Sequence, residues 1–197
     1  MTASPHPQGL TDRMPPLPRE SLDAAQRAAA DELIAGPRKA VMGPFIPLLR
    51  SPELLARVQK VGEYLRFHSA LPARVSEFAT LIVARHWSQQ FEWCIHVPLA
   101  LKAGTAPQTI AAVREGRRPD GMDDEERCVH DFTCELLQQR GVSDATYRVA
   151  RDRFGEHGVV DLTGLIGYFS MINLVLNVAH TPPEIADGVE PLPTLPR

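Results

Sequence analysis

The chain has 197 residues, of which 44% are hydrophobic and 23% are charged, and its formal net charge is −3. This composition is that of one globular domain with its own core, and the slightly acidic balance offers no broad basic surface for nucleic acid. The three cysteines form no CxxC pair, which argues against a disulfide framework and favours a reducing, cytosolic location. We find no secretory signal and no uninterrupted apolar run of roughly 18 residues, so no membrane association is expected.

Proline is concentrated at the two ends of the sequence. Residues 1–18 and residues 181–197 hold five prolines each, and this density predicts extended arms rather than packed elements. Residues 19–180 are expected to form a single helical domain between the arms. Composition leaves open whether the arms are disordered or wrap a neighbouring subunit.

Within the central region the apolar residues recur at the spacing of an α-helix, and no strand-like alternation is found, so we predict an all-α fold. Ser21 is a suitable N-cap for a first helix that ends before Gly36. The segment 42–47, with two prolines, is expected to be an ordered loop, and Pro98 is expected to kink or end the helix around it. Further helices are predicted from Pro52 to about 70 and over about 72–89, 91–103, 107–115, 123–140, 143–154 and 159–179.

Glu92 and His96 form the most informative polar pair in the sequence. They are four residues apart, so on a helix both side chains lie on one face and can touch. A carboxylate beside an imidazole fixes its tautomer and raises its pKa, which suits proton transfer. The same spacing also fits a pair on a solvated helix face, or two ligands of a metal whose third ligand the sequence does not show.

Three neighbouring residues add to this pair, each with an alternative role. Glu77 lies on the preceding helix, and an antiparallel hairpin would return it to His96; otherwise it is an exposed acid in a first helical turn. Arg85 is a candidate for binding an anionic substrate, although a surface salt bridge is the commoner role of such a residue. Cys94 points away from Glu92 around the helix, as expected of a buried structural thiol.

A longer pattern surrounds these residues. The block ARHWSQQFEWCIHVPLALKAG (84–104) resembles the core motif of the carboxymuconolactone decarboxylase-like proteins, with its aromatic-Glu-Trp-x-x-His signature and a following apolar stretch that ends in a small-residue turn. The segments GPFIPLLRSPEL (43–54) and GLIGYFSMINLVLN (164–177) are similar to those before and after that core. The resemblance implies an alkyl hydroperoxidase D-like helical bundle that assembles into homo-oligomers, as trimers or hexamers.

The same superfamily includes the alkyl hydroperoxidase D proteins, whose signature is Cys-x-x-Cys-x-x-x-His with a Glu about 19 residues before the His. When the two patterns are aligned on His96, that Glu falls on Glu77 and the two redox cysteines fall on Gln89 and Glu92. The sequence keeps the acid and the imidazole but neither cysteine. A dithiol peroxidase needs one sulfur that attacks the peroxide and a second that resolves the intermediate. This sequence has a cysteine at neither of the two positions.

The resemblance implies a cofactor-free lyase of the decarboxylase type, with no metal, that acts on a small carboxylated lactone or related organic acid. Glu92 and His96 would transfer protons and Glu77 would orient His96 or polarise the pocket, while Arg85 and Trp93 would bind the substrate. Three other functions stay open: an isomerase or hydrolase that uses the same residues, a peroxidase of the same fold, and a helical protein that binds a small ligand without converting it.

Overall fold

The computed structural model describes residues 10–193. In this range the chain forms eight α-helices and one short 3-10 helix and contains no β-strand, so the predicted all-α class is confirmed. Asp23, rather than Ser21, caps the first helix, because its side chain accepts a hydrogen bond from the backbone N–H of Gln26 in a capping box. The helices are α1 (Ala24–Ala35), α2 (Phe45–Leu48), α3 (Pro52–Phe67), α4 (Ala73–His86), α5 (Gln90–Lys102), α6 (Pro107–Arg114), α7 (Asp124–Gln139) and α8 (Asp144–Ala179).

Helix α4 lies at the centre of the bundle and packs against α5, α7 and α8. Ten of its fourteen residues are buried, including a continuous run over 78–85. A helix that is apolar on nearly every side is enclosed by its neighbours. Close packing on all sides fixes the side-chain positions of α4, which makes it a rigid support for a site.

A tight turn joins α4 to α5 and makes the two helices an antiparallel hairpin. Ser88 adopts a left-handed conformation in this turn, with φ of 50°. The side chain of Gln89 then accepts a hydrogen bond from the backbone N–H of Phe91 and so caps α5. Asn177 of α8 fixes the turn, because it donates to the carbonyl of Trp87 and accepts from the Gln89 side chain.

The expectation of an ordered, non-helical loop over 42–47 is wrong for its second half, where α2 forms a single helical turn. Both prolines are compatible with this turn. Pro44 precedes the helix and Pro47 lies within its first turn, where the backbone N–H groups have no intrahelical partner.

Pro98 does not end α5. The helix continues on both sides of the proline, from Gln90 to Lys102. The proline is exposed to solvent, so its ring displaces no packed neighbour. Beyond it the helical hydrogen bonds resume, with the N–H of Ala103 donating to the carbonyl of Leu99 at 2.9 Å. Of the two predicted effects of Pro98, the early break is therefore wrong, and the kink stays a prediction.

Helix α8 is two helical segments joined at Gly155, whose φ of 69° and ψ of 173° are not helical. The sequence predicts separate helices over 143–154 and 159–179, which agrees with this interruption. Among the described residues α8 is long and apolar enough to cross a membrane by length and composition, but 56% of its most apolar window is buried inside the protein. It is thus a core helix of the bundle, and it gives only weak evidence for a membrane protein.

The described parts of both arms contain no helix, and they pack against the helical domain, so the prediction that they are not packed elements is wrong. Leu192 is 5% exposed, and its backbone N–H and carbonyl both pair with the side chain of Gln90 on α5. The indole N–H of Trp93 donates to the carbonyl of Glu190 at 2.9 Å. At the other end, the N–H of Arg13 donates to the last carbonyl of α8 at 2.8 Å. The predicted arm structure of residues 1–9 and 194–197 lies outside the described residues.

Candidate active site

Glu77, Glu92 and His96 meet within the bundle. Nδ1 of His96 lies 2.6 Å from Oε2 of Glu77, and its Nε2 lies 3.3 Å from Oε2 of Glu92. The α4–α5 hairpin makes the first contact, and the four-residue spacing on α5 makes the second. The side chains of His96 and Glu92 are 3% and 5% exposed, so the group lies out of bulk water. The catalytic role of the three residues stays a prediction.

Two opposing effects set the pKa of His96. Burial lowers it, because a charged imidazolium loses hydration. The hydrogen bonds and negative charges of Glu77 and Glu92 act in the opposite direction and prevail, which raises the pKa to about 9. At neutral pH His96 is therefore protonated, with Nδ1–H donating to Glu77 and Nε2–H directed at Glu92.

Protonation leaves His96 without a free lone pair for a metal ion. Across residues 10–193, no group of three or more His, Cys, Asp or Glu side chains is arranged to hold one. Proton transfer at this imidazole stays the prediction.

Glu92 and His96 line a cavity of about 260 Å³. An engineered cavity of roughly 150 Å³ is large enough for benzene, so this one has room for a substituted single ring. Its apolar wall includes Phe91, Phe169 and Ile172. The Phe169 ring meets the imidazole edge to face at 5.0 Å between centroids, which helps to hold the orientation of His96.

Sequence reasoning missed three polar residues of this cavity: Arg38, Arg66 and Tyr168. They come from the α1–α2 loop, α3 and α8, so no local spacing connects them to His96. Burial lowers the pKa of Arg38 and raises that of Tyr168. The only signal in the sequence is that Arg38 follows Gly36-Pro37 in an apolar loop, which by itself indicates a helix end.

The structure does not bring Arg85 or Trp93 to this cavity. Arg85 is buried on α4, donates from Nη1 to the carbonyl of Pro193 at 3.2 Å, and lines a separate cavity of about 770 Å³. That cavity is wider and more open, but it lacks the Glu–His group, so we place the candidate site in the smaller one. Trp93 is fully buried, with its indole facing the core and the C-terminal arm.

The three cysteines also lie outside the Glu–His cavity. Cys94 and Cys128 are buried, and burial raises the pKa of Cys94 to about 11. Cys134 is half-buried, and burial raises its pKa to about 11 as well. A reactive cysteine needs an accessible thiolate, and none of these thiols has the environment that would produce one at neutral pH.

The helical bundle has the fold of a known crystal structure. Comparison with protein-family models and with curated proteins gave no match. The chain is similar to the crystal structure of a protein of unknown function from Agrobacterium tumefaciens, which is named as a candidate antioxidant defence protein AhpD. The TM-score is 0.63 with 18% sequence identity, over 71% of this chain and 96% of that one. This similarity shows the shared fold.

Proposed function

We propose that the protein is a cofactor-free enzyme of the carboxymuconolactone decarboxylase-like type that transfers protons on a small carboxylated lactone or related organic acid. The observation that carries the proposal is the buried imidazole of His96, held between Glu77 and Glu92 at the wall of a cavity of about 260 Å³. Buried ionisable groups with perturbed pKa values in a closed pocket are typical of catalytic acids and bases.

Each of the three residues has a distinct part in the proposed mechanism. Glu77 does not line the cavity; it holds Nδ1–H of His96 and keeps the imidazole charged. Glu92 lines the cavity beside Nε2 of His96 and can exchange a proton with it over 3.3 Å. In a decarboxylation the C–C bond to the carboxylate breaks, carbon dioxide leaves, and the electron pair remains on the substrate. The His96–Glu92 pair then supplies the proton that this carbon takes up.

A thiol peroxidase is the second candidate function, because the fold is compatible with it. The site supports a peroxidase less well than a proton-transfer enzyme. Its mechanism needs a thiolate in the pocket, whereas Cys94 is buried outside the cavity with a pKa of about 11. Peroxide consumption should therefore be the same in the wild type and in Cys94→Ser. Consumption that disappears in Cys94→Ser would favour the peroxidase instead.

Assembly into a trimer or hexamer is part of the same proposal. Several large apolar side chains are exposed on the isolated chain, among them Phe67, Val160 and Val178 at 53%, 67% and 57%. Exposed apolar surface of this kind is typical of protein contact sites when it is contiguous. Light scattering of the purified protein tests the assembly, and a monomeric mass would reject it.

Turnover of a defined substrate panel tests the enzymatic proposal. The panel holds carboxylated lactones and unsaturated and β-keto acids, incubated in deuterated water and followed by NMR for carbon dioxide release and deuterium uptake. Glu92→Gln should lower the turnover number by roughly 10²–10⁴-fold, the usual contribution of a general acid or base. His96→Gln should have a similar effect, and Glu77→Gln a smaller one.

Glu156→Gln is the matched control, because it makes the same change at an exposed position of α8. It should leave turnover unchanged. A substrate converted equally well by all three site variants would mean that the reaction takes place elsewhere. Ligands that bind in the cavity and are recovered unchanged and undeuterated would identify a binding protein.

A further inference from the structure

Arg38 is a charged residue of the cavity, and no carboxylate in the described part of the chain lies within salt-bridge distance of it. Its Nε and Nη2 atoms are buried and make no hydrogen bond of good geometry, and the neutral Tyr168 hydroxyl is the acceptor beside the guanidinium. Its guanidinium carbon lies 4.4 Å from the centroid of the Phe45 ring, so the group is held in one plane by cation–π stacking. No carboxylate of residues 10–193 forms a salt bridge with it.

A buried guanidinium N–H without an acceptor is unfavourable, because it has lost its hydration without gaining a protein hydrogen bond. The guanidinium presents its donors in a planar fork that matches the two oxygens of a carboxylate. An anion that entered the cavity would therefore satisfy donors that the protein leaves unsatisfied.

The surroundings of Arg38 favour the same ligand. The Tyr168 hydroxyl and Nη2 of Arg38 are both packed against Gly62, where an added Cβ would lie 2.1 Å and 2.8 Å from them. The hydroxyl thus offers a further donor beside the guanidinium. Arg66 also lines the cavity and adds a second positive charge to this end. The remaining wall is largely apolar, with Phe91 among its rings.

We propose that Arg38 binds the carboxylate of the ligand, and that the ligand is a small organic monoanion built on a single ring. The ring fills the space between Arg38 and Glu92, which are close enough for their charges to interact. The assignment of Glu92 as the group that faces the reacting carbon rests on the proposed function. Carboxylate recognition by Arg38 does not depend on any reaction.

Binding of matched probes tests this role. Benzoate and benzamide have the same shape and differ in charge, so their relative affinity measures recognition of the carboxylate. Ligand-detected NMR at neutral pH should show that the wild type binds benzoate at least about tenfold more tightly than benzamide, a modest value for a charge-assisted fork. Arg38→Gln should abolish this preference, and Arg38→Lys, which keeps the charge but not the fork, should keep only part of it.

Arg85→Gln is the control, because Arg85 is also an arginine with unpartnered buried nitrogens but lies outside this cavity. It should keep the full preference for benzoate. Melting curves of all variants identify any that fail to fold, and Arg38→Lys provides the test if Arg38→Gln unfolds. A benzoate preference as large as that of the wild type in the folded Arg38 variants would overturn the proposal, as would a wild type that binds neither probe at millimolar concentration.

The outcomes also separate this inference from the proposed function. If the benzoate preference depends on Arg38 but no substrate is converted, the carboxylate site stands and the enzymatic proposal fails. If Glu92→Gln abolishes turnover while Arg38→Gln binds acids as the wild type does, the enzyme stands and the role of Arg38 is wrong.

Discussion

Glu77→Gln is expected to remove most of the pH-dependent stability that His96 contributes. The pKa of His96 rises from 6.5 to about 9 in the folded protein. A group with a raised native pKa stabilises the fold fully below its unfolded pKa, and this stabilisation is lost as the pH rises through the native pKa. The difference between the native and unfolded pKa values of His96 corresponds to roughly 3 kcal/mol of stabilisation at acidic pH. About 2 kcal/mol of it should disappear between about pH 6 and about pH 8.5.

Urea unfolding at these two pH values measures the effect. Relative to the wild type, Glu77→Gln should lose most free energy of unfolding at the lower pH and least at the higher one, because glutamine removes the charge that keeps His96 protonated. An NMR titration of the histidines should show the pKa of His96 falling in the variant. Glu156→Gln should follow the wild-type profile, since that carboxylate is exposed.

Two results would refute this reasoning. One is a wild-type pKa for His96 at or below 6.5, which would mean that burial outweighs the two carboxylates. The other is a free energy of unfolding with the same pH profile in the wild type and in Glu77→Gln. The interval ends below the pKa of 9.0 for an ordinary cysteine thiol, so ionisation of the unfolded chain's thiols contributes little.

Three further perturbations test other parts of the structure. Gly62→Ala should lower the melting temperature, because the added Cβ would lie 2.1 Å from the Tyr168 hydroxyl. This clash outweighs the roughly 1 kcal/mol by which alanine favours a helix over glycine. Gly164→Ala, whose added Cβ has its nearest contact at 3.6 Å, should raise the melting temperature. Equal shifts for the two would contradict the steric argument. Gln90→Ala should speed hydrogen exchange in the C-terminal arm, because it removes hydrogen bonds of 2.8 and 2.9 Å; unchanged protection would show that other contacts hold the arm. Alkylation of Cys94 at about pH 8 should be far slower than that of a free thiol, given its pKa of about 11, and rapid alkylation would show that the thiol is exposed.

The parts of the fold and site that the sequence predicts are those set by local geometry. Helix periodicity and breaker residues predict most of the helices. The four-residue spacing places Glu92 against His96 once α5 is helical, and a short turn between α4 and α5 returns Glu77 to the same imidazole. Each of these inferences spans at most about twenty residues of chain, so helix geometry and a hairpin suffice to make them.

Proximity in the sequence does not predict which side chains reach the cavity, because this depends on the direction in which each side chain points. Trp93 is adjacent to Glu92, but one residue turns a helix by about 100°, so its ring faces the core and not the cavity. Arg85 is eight residues beyond Glu77, about 12 Å further along α4, and reaches a different cavity. Arg38 comes from a loop whose position depends on the packing of the whole bundle, which no periodicity in the sequence encodes.

The walls of the Glu–His cavity differ in their secondary structure, and this affects how the protein can diversify. The imidazole and its two acids stand on α4 and α5, whereas Pro37, Arg38, Met42 and Pro44 belong to the segment between α1 and α2. Loops accept substitutions and length changes that packed helices do not. A related or engineered chain could therefore exchange its ligand through this one segment while leaving the proton-transfer residues undisturbed, so a library confined to residues 37–44 is the economical route to new specificity.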